Sequence, residues 1–265
     1  MSKQSISVYF DKRPRQAVFV ERPNRFLVRC RLLPGEAHAG RSGPAKKLEG
    51  PLVEAHLPDP GRLRELLIPG RSLWLAPALT PARKTKWSVV LCETPGGGGL
   101  VSLNSALPNR LIEKALVEGG MEEFGGWRLR RKEYRMGRTR WDFLLEQQEE
   151  TGRRQMALEV KSVTLVENGV ALFPDAVTER GARHVRELAE LAQTGWAAAV
   201  LFVVQREDAS AFRPAAHLDP AFAAAFNEAV QAGVKVYCRK CRVTPEAITL
   251  SGKLPVLSAE QAGQA

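Results

Sequence analysis

Three charged residues that interrupt apolar segments have the types and spacing of a hydrolytic site. Asp142 lies in the string RWDFLL, and Glu159 and Lys161 lie in LEVKSV. Residues i and i+2 of a strand point to the same face, so Glu159 and Lys161 are expected to project together. A turn over residues 149–154 makes the two segments a hairpin, which predicts that Asp142 lies beside Glu159. Two adjacent carboxylates repel each other unless a cation lies between them.

The expected cation is a hard divalent ion with oxygen ligands, Mg²⁺ or Mn²⁺, held by Asp142 and Glu159. Lys161 would ease formation of the attacking hydroxide or hold the attacked phosphate. These residues are therefore predicted to catalyse metal-dependent hydrolysis of a phosphodiester. The alternative is an ordinary cross-strand ion pair, because an acid two residues before a lysine is a common strand pattern. The apolar surroundings favour the catalytic interpretation, because unpaired charge is costly there.

Four further residues are candidate accessory groups, each with a simpler alternative. Glu113, on a helix before the hairpin, is a third acid or a solvated helix-face glutamate. Asp175 lies just before an amphipathic helix, so it is a site residue or a helix cap. Arg180 and His184 are four residues apart on that helix and share a face. They would meet a phosphate backbone, line the metal cleft or form a solvated basic surface.

The composition excludes several classes of protein. Four cysteines among 265 residues rule out a disulfide scaffold. The sequence contains no run of about 18 apolar residues, so no transmembrane helix is expected. The N-terminal segment also lacks the apolar stretch of a secretory signal. We therefore expect a cytoplasmic protein with no membrane partner. Cys238 and Cys241 lack the further ligands of a zinc site, so buried thiols are expected there.

The charge distribution indicates a nucleic-acid partner. The net charge is +10 and the isoelectric point is about 9.8, which is typical of nucleic-acid-binding proteins. Residues 1–105 hold 17 Lys and Arg against 8 Asp and Glu, a net charge of +9, whereas residues 106–265 hold 22 against 21. This asymmetry predicts one unit, residues 1–105, that holds a polyanion and a second unit, residues 106–265, with another task.

The first unit is predicted to be a small β barrel or sandwich. Short β-rich runs separated by Pro and Gly turns cover residues 17–20, 26–33, 51–57, 72–79, 87–94 and 100–104. Leucines at positions 63, 66 and 67 predict one short helix over residues 61–67, and residues 34–50 are expected to form an exposed loop.

Basic residues on this unit are expected to contact phosphates, because such contacts need only charge. The predicted nucleic-acid-binding residues are Arg22, Arg25, Arg62, Arg83, Lys84 and Lys86. Small barrels that bind single strands add aromatic side chains on which bases stack. Four aromatic residues are available for that role, although most are expected in the core: Phe19, Phe26, Trp74 and Trp87.

The second unit is predicted to be a mixed sheet covered by helices. A helix is expected over residues 109–120, capped by Asn109 and ended by two glycines. Strand-like segments follow at residues 127–137, 138–147 and 155–166, and then an amphipathic helix at 178–194. An apolar run at 197–204 is typical of a strand buried on both faces. A helix at 220–232 and a last short strand at 234–237 complete the unit.

Several of these segments resemble the sugar fermentation stimulation protein A (SfsA) family. The matching strings run in order over about residues 20–255: PNRF, HLPDPGRLRELL, RKTKW, LPNRLIEKAL, RWDFLL, LEVKSVTL, FPDAVTERGARHVREL and VLFVVQRED. Two departures are visible. HLPDPGRL stands where the family usually has HCPNTGRM, which argues against a ligand role for that turn. This chain also carries an insertion between residues 34 and 50.

The resemblance implies an α+β protein with an N-terminal OB-fold barrel and a C-terminal α/β domain of the PD-(D/E)xK nuclease type, built on a mixed central sheet. It implies that Asp142, Glu159 and Lys161 occupy the nuclease-type positions. It also places Asp175, Arg180 and His184 in a family motif. The partner that it implies is DNA, with a regulatory link to sugar metabolism.

Two functions are expected from these observations. The first is a metal-dependent nuclease, in which the barrel holds the strand and the acidic site cuts it. The second is a non-catalytic DNA-binding or regulatory protein that uses the nuclease fold as a scaffold. The intact acid-acid-lysine set favours the first, since a pure binding protein has no need of it. A transcriptional regulator that reads base sequence is disfavoured, because no helix-turn-helix pattern is present.

Overall fold

A β barrel is followed by a mixed sheet with helices on both faces. The computed structural model describes residues 5–34, 50–79, 82–150 and 152–257. The strands in these ranges are β1 (Ser7–Tyr9), β2 (Arg15–Asn24), β3 (Leu27–Leu32), β4 (Leu52–His56), β5 (Ser72–Pro77), β6 (Trp87–Glu93), β7 (Leu100–Ser102), β8 (Arg128–Met136), β9 (Thr139–Glu149), β10 (Gly152–Val163), β11 (Leu165–Glu167), β12 (Val170–Phe173), β13 (Ala197–Val204), β14 (Ala211–Pro214), β15 (Lys235–Val243) and β16 (Ala247–Lys253). The helices are α1 (Leu107–Val117), α2 (Glu179–Gln193), α3 (Pro220–Gln231) and a 3-10 helix at Glu122–Phe124. None of these described helices is long and apolar enough to cross a membrane.

Five strands close into the barrel, in the order β4-β3-β2-β5-β6. The parallel pairing of Ala55 with Trp87 joins β4 to β6 and completes the closure. Along β3, buried Val28, Cys30 and Leu32 alternate with more exposed residues, so one face of the strand fills the barrel interior. The predicted barrel is confirmed and the sandwich alternative is wrong. The loop predicted at residues 34–50 falls almost entirely outside the described residues.

The helix predicted at residues 61–67 is wrong, because the chain forms turns there. Leu63 has a φ of 50°, outside the right-handed helical region. The Arg22 guanidinium donates to the carbonyl oxygens of Gly61 and Arg62, at 2.8 and 2.7 Å, which a helix would need as acceptors. Leu63 and Leu66 are buried in the barrel core. The leucine spacing therefore reflects packing into the barrel rather than a helical face.

The second sheet has seven strands in the order β1-β16-β15-β13-β10-β9-β8. β10, β13 and β15 run parallel, and the other neighbours are antiparallel. Helix α1 covers one face, where Leu111 packs with Leu158. Helices α2 and α3 cover the other face, where Val185 and Phe222 pack with Phe202. The predicted mixed sheet and α+β class are confirmed. A separate three-stranded sheet has the order β11-β12-β14.

Two predictions at element ends are wrong. Helix α1 begins at Leu107 and its N-cap is Ala106, so Asn109 lies inside the helix and does not cap it. The strand expected at residues 234–237 extends over Lys235–Val243, and β16 then returns beside it. Pro245 lies in the turn between these strands. β16 in turn pairs with β1, so the first described strand is an edge of the second sheet.

The two C-terminal cysteines have the environment that the sequence predicts. Cys238 and Cys241 are free and buried on β15. Burial raises the pKa of the Cys241 thiol to about 12, which keeps it protonated and unreactive at neutral pH. The expectation of buried thiols is confirmed.

Candidate functional site

The candidate site lies on β9 and β10, in the interior of the seven-stranded sheet. β10 is flanked by antiparallel β9 and parallel β13, and Glu159 stands opposite Val200. Leu158 and Val160, on either side of Glu159, are buried in the core on the α1 face. The alternation along the strand therefore places Glu159 and Lys161 on the α2 side of the sheet, together, as their spacing predicts.

Asp142 is fixed where the pairing of β9 with β10 ends. The register runs as far as Leu158 opposite Phe143, and beyond it the Val160 N–H donates to Asp142 Oδ2 at 2.8 Å. The other oxygen, Oδ1, accepts from Asn109 Nδ2 at 2.7 Å. Burial and the charge of Glu159 raise the pKa of Asp142 to about 6, in spite of these two hydrogen bonds. A cation beside the two carboxylates would relieve this penalty.

Glu159 is only 5% exposed and is held by two positively polarised neighbours. Its Oε1 accepts from Lys161 Nζ at 2.6 Å and lies 2.7 Å from His184 Nδ1. An ionised carboxylate can only accept, so His184 Nδ1 is the donor. Burial by itself would raise the pKa of Glu159, but the hydrogen bond from His184 and the charge of Lys161 lower it overall. Glu159 therefore stays ionised.

The second oxygen of Glu159 is the feature that fits a cation. Oε2 is buried and has no hydrogen-bond partner in the described part of the chain. Buried polar atoms nearly always have a partner, so an unpartnered one indicates an ion or water. Carboxylate oxygens are the ligands that Mg²⁺, Mn²⁺ and Ca²⁺ share. The described residues contain no group of three or more His, Cys, Asp or Glu side chains that could hold a metal, so water or substrate would supply the remaining ligands.

The two predicted accessory residues of α2 lie in different environments. His184 is buried and contacts Glu159, and its ring lies 6.0 Å from that of Trp141 in an edge-on arrangement. Arg180, one turn earlier, is exposed. Only His184 is therefore brought into the site by contact with a predicted catalytic residue.

The two accessory acids have partners elsewhere. Glu113 forms an ion pair with Lys132 of β8 at 2.8 Å. Asp175 Oδ2 accepts from the Arg62 N–H of the barrel at 2.6 Å. The cap role considered for Asp175 is wrong, because the hydroxyl of Thr178 caps α2. Asp175 instead joins the loop before α2 to the barrel.

Asn109 belongs to the site, although its sequence context suggests a helix cap. Its side chain reaches Asp142 from the first turn of α1. Proline favours the first positions of a helix, so Pro108 indicates that the helix begins before Asn109. That signal would have placed Asn109 inside the helix and released its side chain for another partner.

Three of the predicted nucleic-acid-binding residues meet on two neighbouring turns of the barrel. The Arg22 guanidinium donates to the carbonyl oxygens of Arg25, Gly61 and Arg62, at 2.7 to 2.8 Å. It therefore supports both turns, while the Arg25 and Arg62 side chains are exposed. Beside Arg25, Phe26 is 52% exposed. Its ring stacks on that of His56, with centroids 6.5 Å apart and an interplanar angle of 23°.

The other three lie between β5 and β6. Arg83 donates to the hydroxyls of Ser88 and Thr85, at 2.9 and 3.0 Å, and so stabilises this turn. Lys84 and Lys86 are exposed. The barrel thus presents basic side chains on two separate loop regions.

Comparison with known proteins identifies the family. Residues 20–103 match the SfsA N-terminal OB domain, and residues 106–247 match the sugar fermentation stimulation protein RE domain. The sugar fermentation stimulation protein homolog of Shouchella clausii is 43% identical, over 90% of this chain and 95% of that protein. The homolog of Moorella thermoacetica is 44% identical, over 89% and 93%. The structure of Pyrococcus furiosus SfsA in complex with Ca²⁺ aligns with a TM-score of 0.78 and 27% identity, over 96% of this chain and 99% of that one. The chain therefore belongs to the sugar fermentation stimulation protein family, and its barrel is an OB-fold.

Proposed function

We propose that this protein is a metal-dependent phosphodiesterase that acts on nucleic acid, with DNA the expected substrate. The observation that carries the proposal is the buried Oε2 of Glu159, which has no hydrogen-bond partner in the described ranges and lies in a site shared with Asp142. The related Pyrococcus furiosus protein was solved in complex with Ca²⁺, an ion with the same preference for oxygen ligands as Mg²⁺. Mg²⁺ or Mn²⁺ is proposed as the working ion of this chain.

Each site residue has a distinct proposed role. Asp142 and Glu159 would hold the ion, which when bound polarises the phosphate and lowers the pKa of water. The Asn109 amide orients Asp142 from α1, and His184 orients Glu159 from α2. Lys161 keeps its ammonium beside the site, where it stabilises the negative charge that develops on the attacked phosphate.

The barrel is proposed to bind the strand. Its exposed cations, Arg25, Arg62, Lys84 and Lys86, would contact phosphates, with Arg22 and Arg83 supporting their turns. The exposed ring of Phe26 would stack on a base. The hydrogen bond between Arg62 and Asp175 holds this surface against the loop that leads into α2, which carries His184.

A binding function without cleavage is the second candidate, and one observation favours it. Glu159 Oε1 is already matched by Lys161 and His184, a pairing that can stabilise a buried carboxylate with no ion present. The protein would then be a DNA-binding or regulatory protein, with the same barrel as its interface.

The substitution Asp142→Asn separates the two candidates. Labelled single- and double-stranded DNA and RNA are incubated with purified protein and Mg²⁺, Mn²⁺ or a chelator. We expect the wild-type protein to cleave only with metal, and Asp142→Asn to lower the rate about 100-fold or more, because one metal ligand is lost. Binding in chelator is expected to change less than about twofold, because phosphate contacts lie elsewhere.

The matched control is Glu150→Gln, which removes an exposed carboxylate near the β9–β10 turn. It is expected to cleave like the wild type. Cleavage by Asp142→Asn at the wild-type rate would show that the site is misassigned. Absence of cleavage by the wild type with every substrate and ion, together with retained binding, would leave the binding-only candidate.

A further inference from the structure

A strongly basic hairpin lies in the second part of the chain, where the overall charge is nearly balanced. Residues 128–140, which we call the basic hairpin, hold seven cations and one acid: Arg128, Arg130, Arg131, Lys132, Arg135, Arg138, Arg140 and Glu133. All eight side chains are exposed. The rest of residues 106–265 holds 15 Lys and Arg against 20 Asp and Glu. The near-neutral total of this region therefore conceals a local excess of six positive charges.

Much of this charge has no counter-charge. Lys132 pairs with Glu113 and Arg140 pairs with Glu133, both at 2.8 Å, and Arg130 lies 3.8 Å from Glu146. The remaining four make no ion pair or side-chain hydrogen bond within the described ranges: Arg128, Arg131, Arg135 and Arg138. Like charges crowded on one hairpin repel each other, so a polyanion would relieve a repulsion that the fold leaves in place.

The basic hairpin borders the acidic site. β8 is an edge strand of the seven-stranded sheet, and among the described strands it pairs with β9 alone. Arg135 of β8 stands opposite Arg140 of β9. Asp142 lies two positions after Arg140, also on β9. At about 3.3 Å per residue, that separation is about 7 Å. A nucleic-acid backbone bound along the basic hairpin would therefore reach Asp142 and Glu159 without leaving the surface of the sheet.

The composition of the basic hairpin argues against a purely protective role. Charged side chains on an edge strand prevent pairing with other sheets, and lysine is the residue most used for that purpose. Six of the seven cations here are arginines, whose planar guanidinium matches phosphate oxygens in pairs. The span from Arg128 to Arg135 is about 23 Å, long enough to contact several successive phosphates of a nucleic-acid backbone.

We propose that the basic hairpin is a second phosphate-binding surface, separate from the barrel, that leads a nucleic-acid backbone into the Asp142 and Glu159 site. The delivery to that site rests on the proposed phosphodiesterase function. The binding does not, because phosphate contacts require no cleavage.

The test is a charge reversal with a matched control. The hairpin variant is R131E/R135E/R138E, and the control variant is R153E/K235E/R242E, whose three residues are exposed on β10 and β15. Both variants lower the net charge by six. Both are made in the Asp142→Asn background and measured with chelator, so that cleavage does not interfere. Binding to DNA of about 30 nucleotides is followed over a range of salt concentrations.

We expect the hairpin variant to bind at least about tenfold more weakly at low salt and the salt slope to fall by about 2 to 3, one unit for each lost contact. The control variant is expected to stay within about threefold of the parent protein. Equal losses in both variants would show a general charge effect and overturn the proposal. Unchanged binding by the hairpin variant would leave only edge protection, which glutamate also provides, and would overturn it as well.

Two further measurements keep the outcome clear. Thermal unfolding of each variant shows whether it is folded. If the glutamate variant is not, the neutral variant R131Q/R135Q/R138Q replaces it; this variant loses the same three contacts, so a similar fall in salt slope is expected. If the wild-type protein cleaves nothing while the hairpin variant still loses affinity, the phosphodiesterase function fails and the second binding surface stands.

Discussion

At the residue scale, the site contains two interacting carboxylates whose surroundings act in opposite directions. Burial and the Glu159 charge raise the pKa of Asp142 to about 6. The donors His184 and Lys161 lower the pKa of Glu159 despite its burial. One carboxylate is thus kept ionised by the fold, while the other keeps its proton up to about pH 6 unless a cation takes its place. Strongly perturbed pKa values of neighbouring acids are typical of functional sites.

This difference predicts how the metal-free protein responds to pH. The folded-state pKa of Asp142, about 6, lies above its ordinary value of 3.8. The folded protein therefore binds this proton more tightly, so the resulting stability is present below about pH 4 and is lost as pH rises through about 6. Relative to Asp142→Asn, the wild-type free energy of unfolding should fall by about 1 to 2 kcal/mol between about pH 4 and 7.5.

Denaturant unfolding with chelator, at several pH values, measures this difference. Glu159 titrates in both proteins, so the comparison isolates Asp142. Addition of Mg²⁺ or Mn²⁺ at the upper pH should stabilise the wild type more than Asp142→Asn, because binding to the folded state adds stability. Parallel curves of unfolding free energy against pH for the two proteins would show that burial and the charge of Glu159 do not raise the pKa of Asp142.

The sequence was sufficient to predict that Asp142, Glu159 and Lys161 lie close together, because strand parity and a short turn are local properties. It was not sufficient to predict which side chains form hydrogen bonds with these residues. The contact between Asn109 and Asp142 spans 33 positions, and it depends on how α1 packs across the sheet. The sequence also predicted that Arg180 and His184 share a helix face. Which of the two is buried depends on how α2 packs against β10.

At the element scale, a hydrogen bond between buried groups joins α2 to the central strand β10. His184 reaches Glu159 at 2.7 Å across the α2–β10 interface. Because Glu159 Oε2 has no hydrogen-bond partner among the described residues, loss of His184 would leave this carboxylate with the hydrogen bond from Lys161. We expect His184→Ala to lower the free energy of unfolding by about 1 to 3 kcal/mol. His184→Asn, whose amide can replace Nδ1, should recover part of that loss.

Chemical denaturation at neutral pH provides the measurement, and Arg183→Ala on the same helix is the control. Arg183 is exposed and lies 3.7 Å from Glu187, and such surface pairs contribute about 0.3 to 0.5 kcal/mol. An equal effect of His184→Ala and Arg183→Ala would contradict a stabilising contact between α2 and β10.

The elements that the sequence predicted best are those whose apolar period and end signals agree. For α2, the amphipathic period predicts residues 178–194, and the helix spans Glu179–Gln193 with Thr178 as its cap. The turn at residues 61–67 was mispredicted because Leu63 and Leu66 have helical spacing but pack into the barrel, and Arg22 takes the carbonyl groups that a helix needs. β15 was underestimated because Arg239 looks solvated in the sequence, whereas it forms paired contacts with Glu123 at 2.7 Å.

At the scale of the whole molecule, hydrogen bonds hold the OB-fold barrel and the seven-stranded sheet together at a junction between the two. Asp175, from the loop before α2, accepts the Arg62 N–H of the barrel, and the Ser102 N–H of β7 donates to the carbonyl oxygen of Gln205, just after β13, at 2.9 Å. The proposed function needs this junction, because a strand bound on the barrel must reach a site on the sheet. A fixed geometry confines the strand near that site, as a short stiff linker raises effective concentration.

Gly61 is the position at which this junction can be tested with a single methyl group. A Cβ at Gly61 would lie 2.7 Å from Asp175 Oδ2 and 3.0 Å from Asp59 Oδ1, closer than unstrained atoms approach. Asp59 is buried and already accepts the Gly61 N–H, so neither carboxylate can move without losing a hydrogen bond. We expect Gly61→Ala to lower the free energy of unfolding by about 1 to 3 kcal/mol and to speed proteolysis between the barrel and α1. Gly252→Ala, where the nearest atom is 3.8 Å from the added Cβ, should change neither. If both variants behave like the wild type, the loops at Gly61 and Asp175 yield easily, and the barrel is not held rigidly against the sheet.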